Sequence, residues 1–267
     1  MNKTNQQFAL VTGGTSGIGY ELVKLLANDG YNIVIVARTE SDLQRVSNEI
    51  SQKYGVTVRS IAKDLFDREN AFALYNELVT ENIQIDILIN DAGHGAYGEF
   101  IDTDIRKELS IIDLNISSLV VLTKLFLKDM VARDNGKIMN LSSIASKAPG
   151  PWQSVYHGTK AFVQSFTEAV RSEIKDTGVT ITALLPGATD TDFFRKADML
   201  ESKIVQEGKL YSAEDVAKDG YKALMNGDDM IVSGAMNKVQ VAMANVTPDA
   251  KLADKMKKQQ EPVTQRK

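Results

Sequence analysis

Cysteine is absent from the 267-residue chain, which excludes disulfides and thiolate metal sites and suits a reducing cytoplasm. Histidine is scarce as well: His94 and His157 stand in separate stretches without carboxylate clusters, so no metal is expected. Basic residues are not in excess, with 31 Lys and Arg against 35 Asp and Glu and a net charge of -4. A nucleic-acid partner, which needs a concentrated basic surface, is therefore not expected. No uninterrupted apolar run approaches the ~18 to 20 residues of a membrane-spanning helix. The stretch Met1 to Gln7 is polar and leaves no room for the apolar core of a signal peptide. A soluble, cytoplasmic protein with no membrane partner is the expectation. What remains is ordinary globular material, 43% hydrophobic and 25% charged, and a single domain over 1–267 is the working reading. No internal repeat or low-complexity linker interrupts it.

The pattern along the chain is alternation. Short β-branched or apolar runs at 8–11, 32–36, 56–61, 85–89, 137–141, 179–185 and 230–232 read as strands. Helical periodicity fills 20–28, 41–54, 68–80, 101–133 and 155–176, then a stretch ending near Asn226-Gly227, and 236–245. Ser212 and Asp215 suggest a capping box for the helix that ends near Gly227. Seven such alternations predict an α/β fold, a doubly wound, parallel, seven-stranded sheet with helices on both faces. The tail from about 236 to 267 is expected to be a helical extension whose part beyond Pro248, polar and lysine-rich, is a solvated helix or frayed end.

Ligands of open parallel sheets bind at the strands' carboxyl ends, so the residues there carry the functional signal. The first strand breaks into Thr12-Gly13-Gly14-Thr15-Ser16-Gly17-Ile18-Gly19. Glycines let a backbone turn tightly against a pyrophosphate, and the following helix offers free N–H groups to an anion. On this octet alone an ordinary glycine-rich turn is the simpler account. The second strand ends in Ala37-Arg38, where an acidic residue would receive ribose hydroxyls and an arginine would suit a 2′-phosphate; NADP(H) is preferred over NAD(H), which stays possible. Asp64 either meets an adenine or caps the helix of 68–80. Asn90-Asp91-Ala92-Gly93 supplies small residues at a strand end, as turn chemistry also would.

Tyr156 and Lys160 are four residues apart in a helical stretch and so leave the same face. A cation near a phenol favours the phenolate and makes the tyrosine a better acid and a usable base. Asn115 is a polar amide among Leu114, Ile116, Leu119 and Val120 and needs partners if buried. Ser142-Ser143 ends the fifth strand, and Pro186-Gly187-Ala188-Thr189-Asp190-Thr191 ends the sixth. The segment of about 188–212, with Phe193, Phe194 and Met199, fits a lid over substrate; core packing of the phenylalanines is the other reading.

Taken together, the glycine octet, Asn90 to Gly93, Asn115, Ser143, the Tyr156 to Lys160 pair and Pro186-Gly187 with Thr191 resemble the short-chain dehydrogenase/reductase family, over roughly Phe8 to Val232. That resemblance implies a Rossmann-like NAD(P)-binding domain with a catalytic tetrad. Tyr156 would exchange the proton, Ser143 would hydrogen-bond the reacting oxygen, Lys160 would bind the nicotinamide ribose and lower the tyrosine pKa, and Asn115 would anchor a water in a proton relay. Cofactor contacts are implied for Gly13, Ser16, Gly17, Ile18, Gly19, Arg38, Asp64, Asn90, Ala92, Gly93, Tyr156, Lys160, Pro186, Gly187 and Thr191. Substrate contacts are expected from Ser143, Trp152, Tyr156 and Phe193. Two departures stand out: Asp91 replaces a frequent asparagine, and Ser16 replaces the basic residue of some NADP-preferring members. The function so implied is hydride transfer between NADP(H) and an apolar carbonyl or secondary alcohol, of ketone or 3-oxoacyl type. A nucleotide-sensing protein without turnover is the competing class. His157 is expected to point away from Tyr156, and His94 at most to border the substrate pocket. Family members commonly form homodimers or homotetramers through the two long helices, with the tail covering an assembly surface as another possibility.

Overall fold

A computed structural model of the chain describes residues 7–263. Residues 1–6 and 264–267, parts of the polar leader and of the tail considered above, lie outside the described residues. The elements in order are β1 (Phe8–Thr12), α1 (Gly17–Asn28), β2 (Asn32–Ala37), α2 (Glu40–Tyr54), β3 (Val58–Ala62), α3 (Glu69–Thr80), β4 (Ile85–Asn90), α4 (Ile105–Ile112), α5 (Leu119–Ala132) and β5 (Gly136–Leu141). They continue with α6 (Ser154–Glu173), β6 (Val179–Leu185), β7 (Thr189–Asp190), α7 (Phe193–Lys196), α8 (Lys203–Gln206), β8 (Tyr211–Ser212), α9 (Ala213–Asn226), β9 (Met230–Val232), α10 (Ala235–Ala244) and α11 (Asp249–Gln260).

Seven parallel strands form one sheet in the order β3-β2-β1-β4-β5-β6-β9. The period-two alternation of strand side chains sorts the core onto two faces. Ala9, Val11, Ile33, Ile35, Ile87 and Ile89 face one side, with Leu22 and Leu26 of α1, Val46 of α2 and Leu224 of α9. Leu10, Val34, Val36 and Leu88 face the other, with Leu74 of α3 and Leu122 and Phe126 of α5. Burying each such side chain contributes about 1.5–3 kcal/mol. The winding reverses between β1 and β4, and the carboxyl ends of that pair open a crevice. A second, two-stranded pair of β7 with β8 closes the substrate segment at its base.

The long helical pattern of 101–133 is realised differently. It starts at Ile105 and is interrupted by a π-helical segment, Asp113–Ser118, between α4 and α5. A π turn holds one extra residue and marks functional positions, and Asn115 sits inside it. Taken as one helix, Ile105–Ala132 is long and apolar enough to cross a membrane by length and composition, although no single apolar run in the sequence is. Leu122, Phe126 and Met130 bury its α5 half in the core.

The tail from Asp249 to Gln260 is a helix, solvated on its lysine-bearing face and buried on the other. Leu252, Met256 and Gln260 are buried, one face of α11 at a helical spacing of four. The chain then runs along the substrate segment: Val263 N donates to Glu201 O at 2.8 Å, Ser202 bridges Pro262, and Lys203 Nζ pairs with Glu261 at 2.6 Å.

Candidate active site

One cavity of about 1220 Å³ opens at the carboxyl edge of the sheet. Its floor at one end is the glycine turn. Gly13 (φ +74°) and Gly17 (φ +58°) are left-handed, which side chains resist, and a Cβ on Gly17 would come within 3.1 Å of the Thr191 methyl. Thr12 Oγ1 accepts the N–H groups of Asp91 and Ala92, each at 3.1 Å, and ties the turn to the end of β4. At the start of α1, Ser16 makes no side-chain cap and the first turn carries no acidic residue. The positive end of that helix is left to whatever anion enters the cavity.

Gly13, Ser16, Gly17, Ile18, Arg38 and Asp64 line this end, together with Ala92 and Gly93 from the loop after β4. Arg38 stacks its guanidinium 5.0 Å from the Phe66 ring centroid. Asp64 caps no helix; its carboxylate accepts the Phe66 N–H at 3.2 Å, and Asp67 takes the Glu69 N–H at the start of α3. Sequence reasoning overlooked Arg45, which also lines the cavity and reaches Thr15 O at 3.4 Å. Its signal was available as a second arginine seven residues after Arg38, two turns along α2.

Two of the expected cofactor residues are turned elsewhere. Asn90 does not line the cavity: its amide donates to Thr123 Oγ1 (3.0 Å) and Asn140 Oδ1 (2.9 Å) inside the core. Gly19 lies beneath the turn, where a Cβ would run into the Asp91 carboxylate, and its N–H bonds that carboxylate.

The chemical end is built by β5, α6 and the segment after β6. Tyr156, Lys160, Ser143, Pro186, Gly187, Thr191 and Phe193 all line it. Burial pushes the Tyr156 phenol up to about 12, with the neighbouring Ser143 hydroxyl acting in the opposite direction; Ser143 Oγ itself donates to Pro186 O at 3.4 Å and accepts the Ala145 N–H at 3.1 Å. Phe193 lies against the same ring, 5.1 Å between centroids. Lys160 Nζ sits 5.8 Å from the Tyr156 ring centroid and donates to Leu141 O at 2.8 Å. Burial brings its pKa down to about 8, against the opposing charge of Asp91. Asp91, buried in turn, is pushed up to about 7. Burial is the largest influence on the Tyr156 phenol, while the Lys160 ammonium is held by the Leu141 carbonyl.

Asn115 and Trp152 lie behind the wall and not on it. Asn115 Oδ1 accepts the His94 N–H (3.0 Å), while its Nδ2 donates to His94 O (2.9 Å) and Thr159 Oγ1 (3.0 Å). It clamps the loop after β4 to α6. Trp152, itself left-handed at φ +72°, stacks on Tyr97 at 5.6 Å. His94 lines the cavity and meets Phe66 edge-on. His157 does not point away: it is buried beside Tyr156, its ring 6.1 Å from that of the tyrosine, and it meets Gln260 of the tail at 3.0 Å. The Gln260 carbonyl accepts the Tyr97 hydroxyl at 2.5 Å. This C-terminal wall left no sequence signal beyond the four-residue spacing of Leu252, Met256 and Gln260. Among the described residues no cluster of His, Asp and Glu could hold a metal ion.

The family model described as short chain dehydrogenase matches residues 7–201. The chain belongs to the short-chain dehydrogenase family. A very-long-chain 3-oxoacyl-CoA reductase of Rattus norvegicus is 35% identical over 189 residues, 67% of this chain but 58% of the rat protein, so the chain spans little more than half of that relative. An uncharacterized oxidoreductase of Staphylococcus epidermidis is 29% identical over 213 residues, covering 80% of this chain and 91% of its own. Among solved structures, a short-chain dehydrogenase from Sphingobium yanoikuyae in complex with NADPH superposes with a TM-score of 0.80 at 25% identity, covering 93% of this chain and 99% of that one.

Members of this short-chain dehydrogenase family bind a nicotinamide dinucleotide, and the residues present fit one. A left-handed glycine turn, an uncompensated helix start and a pair of arginines lie at one end of the cavity, with a phenol and an ammonium at the other. They fit the charge sequence of a phosphate-rich ligand with a reactive ring at its far end.

Proposed function

We propose that this short-chain dehydrogenase is an NADP(H)-dependent oxidoreductase that interconverts an apolar carbonyl compound, a ketone or 3-oxoacyl group, and its secondary alcohol. The observation that carries the proposal is the Tyr156 phenol in the cavity, with the Ser143 hydroxyl and Lys160 beside it. The reduced nicotinamide, when bound, supplies a hydride. The chain's part is proton handling and alignment. Ser143 Oγ holds the carbonyl oxygen. Tyr156 Oη, with its pKa pushed up to about 12, is protonated at neutral pH and gives its proton to that oxygen. Lys160 Nζ would hold the ribose hydroxyls, and its charge would make the phenol a stronger acid once it is drawn toward the site.

Arg38 and Arg45 support the choice of NADP(H), because guanidinium forks suit a 2′-phosphate and no carboxylate ends β2. The NADPH complex of the Sphingobium relative agrees with it. Buried Phe194 and Met199, with Phe193, support an apolar substrate, as does the 3-oxoacyl-CoA specificity in the name of the rat relative. Exposed Phe100, Ile101, Ile105 and Leu109 at and before α4 support a homodimer or homotetramer. Tyr156→Phe tests the chemistry: kcat should fall at least about 10²-fold while NADPH binding, read by nicotinamide fluorescence, survives. Turnover near the wild-type rate would remove Tyr156 as the acid.

A further inference from the structure

The cavity is larger than the ~300–1,000 Å³ of a pocket for one drug-sized ligand, and the family match ends at Glu201, before its remaining walls are laid. Beyond the stretch of α8 and β8, those walls are α10 and α11. Val241, Leu252 and Met256 face the cavity from them and are buried, opposite Phe194 and Met199 of the substrate segment. Beside this apolar surface Lys251, Lys255 and Lys258 also line the cavity, all three exposed and spaced to share one edge of α11. Lys203 is neutralised by Glu261 at 2.6 Å, whereas none of the three forms an ion pair among the described residues. Glu261, which feels the charge of Lys258, is already held by Lys203. The wall is fixed in place through Gln260, buried between His157 and Tyr97.

We propose that this C-terminal wall is the specificity half of the substrate site and takes an acyl chain that carries an anionic group, the chain against Val241, Leu252 and Met256 and the phosphate or carboxylate on Lys251, Lys255 and Lys258. The assignment rests on the carbonyl-reductase reading for the position of the reacting carbon at Tyr156. Unpaired cations beside a greasy recess attract a ligand that has both characters, and their contribution falls as salt screens it. A neutral ketone would use only the recess.

The test is calorimetric titration of the full chain, saturated with NADP+ so that the dinucleotide end is occupied. Decanoyl coenzyme A, decanoate and neutral ethyl decanoate are the probes, none of which can be reduced as a ketone. In the Lys251→Gln, Lys255→Gln, Lys258→Gln triple variant the Kd for decanoyl coenzyme A should rise about tenfold, with that for ethyl decanoate unchanged. The corresponding triple arginine variant should keep the wild-type Kd. A loss with decanoate as well assigns the row to any anion, and a loss with the coenzyme alone assigns it to phosphate. Equal weakening of the neutral and charged probes, or no weakening at all, overturns the proposal. Reduction of a small neutral ketone by the wild type is scored separately. Its failure would count against the reductase reading and leave the binding result standing.

Discussion

Gln260 Nε2 and His157 Nε2 are 3.0 Å apart across 103 residues of sequence. The His157 Nδ1 faces the Ala148 carbonyl at 2.7 Å, and a carbonyl only accepts, so Nδ1 carries the hydrogen and Nε2 accepts from the glutamine amide. Replacing Gln260 by alanine leaves that buried nitrogen without a donor, a cost of about 1–3 kcal/mol. The variant should melt at a lower temperature and show a raised KM with the NADPH affinity intact. An unchanged melting temperature would deny the anchor.

Asp91 and Lys160 set the expected pH response. The Asp91 charge raises the lysine pKa, which burial has otherwise brought down to about 8; removing that charge lowers it further. Asp91→Asn should therefore move the alkaline limb of kcat/KM to lower pH. Since the Asp91 carboxyl itself sits at about 7, it is neutral below that value, and the two profiles should converge on the acid side and separate above it. Superimposable profiles throughout would show that the carboxylate does not act on the lysine.

Cofactor choice is tested at the other end of the cavity. Arg38→Asp should weaken NADPH by about tenfold to a hundredfold, the range for losing a charged hydrogen bond, and leave NADH unchanged or improved. Arg45→Ala should act in the same direction and less strongly, since its guanidinium is shared with Thr15 O and Glu49. Equal loss of both cofactors, measured as the ratio of their Kd values, would remove the arginines from phosphate recognition.

Asn90 should behave as a structural residue. Asn90→Ala strips Thr123 Oγ1 and Asn140 Oδ1 of a buried donor, again about 1–3 kcal/mol by the cost of unpaired buried groups. Denaturant unfolding should report it, with NADPH affinity preserved. A weakened cofactor in a fully stable variant would return Asn90 to the site.

The fold was legible because a parallel sheet buried on both faces writes itself as β-branched runs, Asn32 to Val36 and Ile85 to Ile89 among them, and their helices carry a 3.6-residue stripe. Tyr156, Ser143, Lys160 and Gly17 were legible because each stands at a strand end or on one helix face, where spacing fixes direction. Asn90 and Asn115 were not. Their polar groups could satisfy themselves in the cavity or in the core, and the choice fell to distant partners, Asn140 and Thr159, that no local pattern names. The π segment hid for the same reason, since one extra residue in a helix changes the facing of Asn115 without changing composition. The buried face of the lysine-rich tail was hidden because Leu252, Met256 and Gln260 make a stripe too sparse to stand out, yet wide enough to cover a neighbouring loop.

The anchoring of the tail also fixes when the site is finished as the chain is made. The glycine turn, both arginines, Tyr156 and Lys160 all precede Thr191, so a ribosome that has released the chain through Thr191 has supplied every group named at the dinucleotide end. The wall that meets Tyr97 and His157 arrives with Gln260, some of the last described residues to be synthesised. A growing chain thus carries the groups of its dinucleotide end well before the buried face of its tail exists.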